Sequence, residues 1–174
     1  MTLSKYDEMC EAAEHARKEW FALQERCWRY FFSLMSGLID YCVIPPERIT
    51  YLCWNGLIGE ERSYTRPESG GLFTLPGAVK FDEDDGFWHL GVHISLSPPG
   101  HLPPRAVSFV LCVKDQAGQP LLKIGIDGKT SLLNLSDPIQ VNAFYDRIIV
   151  DIKRCFTEPN KSKQKSIGFF VEPE

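Results

Sequence analysis

No apolar run in this 174-residue chain approaches the ~20 residues that a transmembrane helix needs. No membrane partner is therefore expected. The chain has no basic excess either, its formal net charge being −4. Nucleic acid is not the expected partner, because phosphate neutralisation normally shows as surplus Lys and Arg. No secretory signal is expected, since the first residues are polar and charged with no apolar h-region. Six cysteines are present (Cys10, Cys27, Cys42, Cys53, Cys112 and Cys155), but no two form a C-x-x-C pair, and most stand in apolar runs. An even count is compatible with disulfides. Without a signal, buried free thiols in a reducing cytoplasm are the stronger expectation. Neither an internal repeat nor a domain boundary is visible. Residues 1–174 are read as one domain, long enough to bury a core without staples.

The motifs of common chemistries are absent as well. No G-x-S-x-G elbow occurs, and no cysteine lies in a recognisable catalytic context. Gly125-Ile126-Asp127-Gly128-Lys129-Thr130 ends like a P-loop, but its glycines are too closely spaced for one. The acidic run Asp82-Glu83-Asp84-Asp85-Gly86 lacks the twelve-residue spacing and terminal glutamate of a calcium loop. It reads most simply as a solvated hairpin tip. No cofactor or metal is expected.

What the chain does have is Phe87-Trp88-His89-Leu90-Gly91-Val92-His93-Ile94-Ser95-Leu96, which alternates without a fault. Trp88, Leu90, Val92, Ile94 and Leu96 fall on one side; His89, Gly91, His93 and Ser95 fall on the other. This is the period-2 signature of a strand with an apolar and a polar face. Ala106 to Lys114 and Leu121 to Ile126 continue it, joined by the turn Asp115-Gln116-Ala117-Gly118. Residues 87–126 thus predict a three-stranded antiparallel sheet. The His89/His93 pair has the zinc spacing of a helix, but on a strand four residues span about 13 Å, so one ion cannot take both.

Helical periodicity brackets this sheet. Ser4 is a plausible N-cap with Asp7 and Glu8 in the first turn. A helix is expected from there to Ser36 or beyond, on apolar positions mostly three or four apart. From Cys27 the stripe widens, with Trp28, Tyr30, Phe31 and Phe32 covering most of the circumference. The first half is therefore expected to be solvent-flanked, and the second embedded or covered by a partner. Arg48 to Trp54 reads as a first strand and Ala78 to Phe81 as a short one. Between them, residues 59–77 form a long unpatterned loop, functional or mobile. Asp137-Pro138, with Gln140 following, announces a second helix. Ile167, Phe169 and Val171 mark a last strand beyond the basic segment Lys161 to Lys165. The fold class is α+β. Two layers are predicted, an antiparallel sheet of about five to six strands with both helices on the Trp88/Val92 face.

Covering that face leaves the His89/His93 side open, so His89, His93, Ser95 and Ser108 are candidate ligand- or partner-binding residues, with Cys112 near them. Arg62, Tyr64 and Arg66 in the long loop could bind an anion or an acidic partner. Trp20, Trp28, Tyr30 and Phe32 are candidate interface residues, because one sheet covers only one stripe of a helix. The leading expectation is a small cytoplasmic interaction protein of the immunity, inhibitor or adaptor type. It would bind another protein or a second copy of itself, without catalysis. The alternative is a ligand-binding domain or enzyme with its pocket around His89 and His93.

Overall fold

The computed structural model describes residues 4–55, 63–65, 71–96, 105–123, 130–157 and 169–170. The chain opens with helix α1, Lys5–Cys42. Ser4 and Asp7 close its N-terminus as a capping box. The Ser4 hydroxyl accepts from the Asp7 N–H at 3.1 Å, and the Asp7 carboxylate accepts from the Ser4 N–H at 3.0 Å. Val43, in the left-handed region at φ 52°, ends the helix, and its N–H is donated back to the last turn. A single 3-10 turn, Pro46–Arg48, follows where the prolines forbid further α-helix.

The sheet contains β1 (Ile49–Asn55), β2 (Ser63–Thr65), β3 (Lys80–Asp82), β4 (Phe87–Ser95), β5 (Ala106–Gln116), β6 (Gln119–Lys123), β7 (Thr130–Leu132) and β8 (Phe169–Phe170). Six strands run in the order β2-β1-β4-β5-β6-β7, and every pairing is antiparallel. The β4–β5 pair is the axis, in register from Trp88↔Val113 to Ser95↔Ala106. Each of these two strands shares its outer edge between a pair of strands. β3 and β1 take successive parts of β4, and β6 and β8 successive parts of β5. The expected three-stranded unit is present, with its third strand at Gln119–Lys123.

Helix α3, Pro138–Thr157, starts where Asp137 and Pro138 call for it. The Asp137 carboxylate accepts from the N–H groups of Ile139 and Gln140, and the Gln140 amide donates back to it. α3 and the C-terminal half of α1 share one core with a single face of the sheet. Cys27, Phe31, Leu34 and Leu38 meet Trp88, Leu90, Val92, Phe109 and Leu111, with Tyr145 and Ile148 from α3. The Tyr145 hydroxyl, donated to the Leu34 carbonyl at 3.2 Å, ties the helices together beside Gly37, where a side chain would collide with the phenol. This is the predicted two-layer α+β arrangement.

The end of α1 at Cys42 lies within the expected range, Ser36 or beyond. Several local boundaries differ from the expectation. The stretch expected as strand from Ala78 is instead a helical turn α2, Leu75–Ala78, capped by Thr74, with β3 starting only at Lys80. The long loop contributes β2 to the edge of β1, and β7 adds an edge to β6. None of the described helices is long and apolar enough to cross a membrane. All six cysteines are free thiols.

Candidate functional site

Register assigns the second face of the sheet row by row, because directly opposed residues share a face. Thr50, His93 and Ser108 form one row; Leu52, Gly91 and Val110 the next; then Lys80, His89, Cys112 and Lys123. His89 and His93 are only 6% and 7% exposed, and Ser108 8%. The expectation that this side stands open therefore fails at its central residues; Ser95, at the strand end, is half-buried. The physical reason lies in position. β4 and β5 are interior strands, and the flanking side chains crowd against them. Phe87, Val110, Cys112 and Leu121 make a small second core on this side.

The buried polar groups are held by hydrogen bonds, as burial demands. His93 Nδ1 lies 2.8 Å from Ser108 Oγ. His89 Nε2 lies 3.1 Å from both carboxylate oxygens of Asp85, and Cys112 Sγ lies 3.4 Å from His89 Nδ1. Lys123 donates to Asp85 at 3.3 Å. Lys123 and Lys114 stand 5.5 and 5.9 Å from the centre of the Phe87 ring. Thr50 Oγ1 is buried with no hydrogen-bond partner among the described residues.

Protonation follows from these contacts. Burial lowers the His89 pKa, and the Asp85 carboxylate, pulling it upward, does not prevail. For Asp85, burial opposes ionisation, but the Phe87 N–H, His89 and Lys123 outweigh it and hold the carboxyl below its usual value. Burial pushes the Cys112 thiol up to about 12. A consistent assignment has the Cys112 S–H donated to His89 Nδ1, and the His89 Nε2–H donated to Asp85. The sequence of groups is that of a thiol–imidazole–carboxylate relay. The thiol, however, is held protonated, whereas a nucleophilic cysteine works as thiolate.

Asp82, Asp85 and His89 each offer a ligand atom, all within 4.8 Å of one another. The donor set suits a divalent ion in kind. A cation is already in place there, though, because Lys123 neutralises Asp85. The acidic run is thus only half the solvated tip it was expected to be. Glu83 and Asp84 are exposed, while Asp82 is buried and Asp85 half-buried in the network. Sequence reasoning missed this role of Asp85 and Lys123. The only local signal was the placing of Asp85 two residues before the alternating strand, on the parity of His89.

Helix α1 carries the candidate interface. Trp28 and Tyr30 pack against the chain's own core, and the Tyr30 hydroxyl donates to Asp115 at 2.5 Å. Trp20 is 40% exposed and lies with its ring 4.9 Å from Phe81 and 5.5 Å from Trp88. Phe32 is half exposed. N-terminal to Trp20 every residue from Lys5 to Glu19 is exposed, including Tyr6 at 72% and Met9 at 70%. That arm rises roughly 22 Å at 1.5 Å per residue. Its ion pairs, Lys18–Glu14 and His15–Glu19, run along the helix itself. Of the long-loop candidates, Arg62 and Arg66 lie outside the described residues, and Tyr64 is placed by its backbone pairing with Trp54. The lysines of residues 161–165 also lie outside them.

No family model matches the chain, and neither does a curated protein or a solved structure.

Proposed function

We propose that this protein is a small cytoplasmic interaction module of the immunity, inhibitor or adaptor kind, acting by binding rather than catalysis, with the N-terminal arm of α1 as its binding element. One observation carries the reading: the arm is fully helical yet exposed throughout, and it presents apolar side chains at Tyr6, Met9, Ala13 and Ala16. A helix of this length is marginal in water without a packed face, because nucleation costs and propagation gains nearly cancel. Large apolar side chains on such a helix mark a face that is covered in use. Electrostatics on the sheet side support the same reading. Its histidines are enclosed in hydrogen bonds, and its thiol is protonated, so the alternative of a catalytic pocket there has less in its favour.

The test is a photo-crosslinking amino acid placed at Met9, on the stripe, or at Glu11, on the opposite side of the helix. Met9 is expected to give discrete protein adducts in cells, and Glu11 few or none. Equal labelling from both positions, or no adduct from Met9, would defeat the reading.

A further inference from the structure

We infer that the occupant of the arm is a second copy of the same chain, laid antiparallel across it about a two-fold axis between Ala13 and Ala16. The inference rests on the arm being a binding element and names its partner. Its first support is the spacing of the stripe. Tyr6, Met9, Ala13, Ala16, Trp20 and Leu23 follow one another by alternate steps of three and four. That is the seven-residue seam two helices bury between them. The seam continues through Cys27 and Tyr30 into the part of α1 that packs on the sheet. The arm thus presents a face shaped for a helix, and the arm is itself such a helix.

The second support is that the stripe is self-complementary when reversed. It reads large, large, small, small, large, large. An antiparallel copy in the layer register sets Met9 against Trp20 of the other chain and Ala13 against Ala16, and brings Tyr6 to the rim of the other chain's core, where Leu23 is already partly packed. The alanines then cross at the axis, where the helices approach most closely. The tip of each arm reaches the aromatic cluster at the base of the other, where Trp20 is left 40% exposed against Phe81 and Trp88.

Charge gives a third, independent support for direction. Residues 5–14 hold one cation, Lys5, and four anions, Asp7, Glu8, Glu11 and Glu14, a net of −3. Residues 15–24 hold Arg17 and Lys18 against Glu19, a net of +1 with histidine neutral. The antiparallel arrangement brings each acidic tip beside a basic base. A parallel one would set −3 against −3. Such an isologous contact closes on itself as a dimer. Limited to the arms, it buries less than the ~800 Å² per partner of a standard interface, so a weak, reversible association is expected.

Sedimentation equilibrium of the full chain up to about 200 μM tests this directly. A reversible monomer–dimer equilibrium is expected. Ala13→Glu/Ala16→Glu should be monomeric with an unchanged melting curve, since both positions are exposed. Orientation is read from differently tagged Ala13→Cys and Ala16→Cys chains, each also carrying Cys10→Ser, mixed and mildly oxidised. Cross-links joining 13 to 16 support the antiparallel register; only 13–13 and 16–16 links overturn it. A wild-type chain that stays monomeric throughout overturns the second copy. If Met9 photo-adducts then carry a different protein, the interaction reading survives; without any adduct, both fall.

Discussion

The two faces of the β4–β5 pair are both buried, yet they are built on opposite principles. On the helix side Trp88, Leu90, Val92, Phe109 and Leu111 pack against α1 and α3, and the contact is overwhelmingly apolar. On the other side, polar residues sit at nearly the same depth. His89, His93, Ser108 and Cys112 each need a neighbour at hydrogen-bond distance to tolerate it. The first face is held by area, which is non-directional and forgiving of swaps at constant volume. The second is held by geometry. Removing one member there exposes the cost of desolvating the other. Alternation along a strand therefore reports polarity, and burial has to be learned from what lies beside the strand.

The sharpest way to probe the contrast is a charge on the apolar face. Val92 is completely buried beneath the helices. Val92→Asp places a carboxylate there with no partner, and a loss of about 4 kcal/mol or more is expected, enough to unfold a marginal domain. A urea titration with a midpoint close to wild type would show that the helix layer does not cover this face.

His93→Ala tests the polar face by the smaller effect that orphaning a partner causes. The substitution removes a buried ring and leaves the Ser108 hydroxyl without its 2.8 Å contact. A destabilisation of about 1 to 3 kcal/mol follows, where an open face would give almost none. Restoring apolar shape on both sides, in His93→Leu/Ser108→Ala, should recover part of the loss, because replacing both partners costs less than stranding one. If His93→Ala alone is neutral, the two faces do not differ in the way described.

Much of this architecture was legible locally. Ser4 and Asp7, Asp137 and Pro138, and the unbroken alternation of residues 88–96 each fix an element by short-range chemistry, and each element is where those signals put it. The shift from an exposed arm to an embedded half of α1 was also written in the widening stripe after Cys27. Among the elements of three residues or fewer, strands were expected at β8 and over part of β3, whereas β2 and β7 were not legible. β2, β7 and the boundary between α2 and β3 depend on pairing with a neighbouring strand, for which so short a segment holds no periodicity of its own. The Asp85–His89–Cys112–Lys123 network failed to appear for a related reason. Its members come from a turn and three strands, and only the register of β4 on β5 and β5 on β6 brings them together. Cys112 was recognised as a neighbour of the histidines through the strand pairing alone. Nothing in the sequence around Lys123 singled it out.

The smallest effect expected is a pH dependence that the polar face has and the apolar face lacks. Burial lowers the His89 pKa from its ordinary 6.5, so the folded state resists the proton that the unfolded chain accepts. Above that value the imidazole is neutral in both states and contributes no slope. As pH falls through it, the unfolded chain gains a proton and the folded chain does not, so stability declines and levels off only below the depressed folded value. Asp85 acts in a separate window. Its carboxyl lies below the ordinary 3.8, so its contribution is intact at mildly acidic pH and is lost only as pH drops through the folded value. Between neutrality and about pH 5, His89 is therefore the operative member of the pair. Thermal melts across that range should show wild type losing more stability on acidification than His89→Gln, even though the variant starts lower for want of its Cys112 and Asp85 contacts. The difference between the two slopes isolates this residue from the other histidines. A wild-type protein that gains stability toward pH 5 would mean that Asp82 and Asp85 stabilise the imidazolium more than burial opposes it, and that the polar face is held by charge instead of neutral hydrogen bonds.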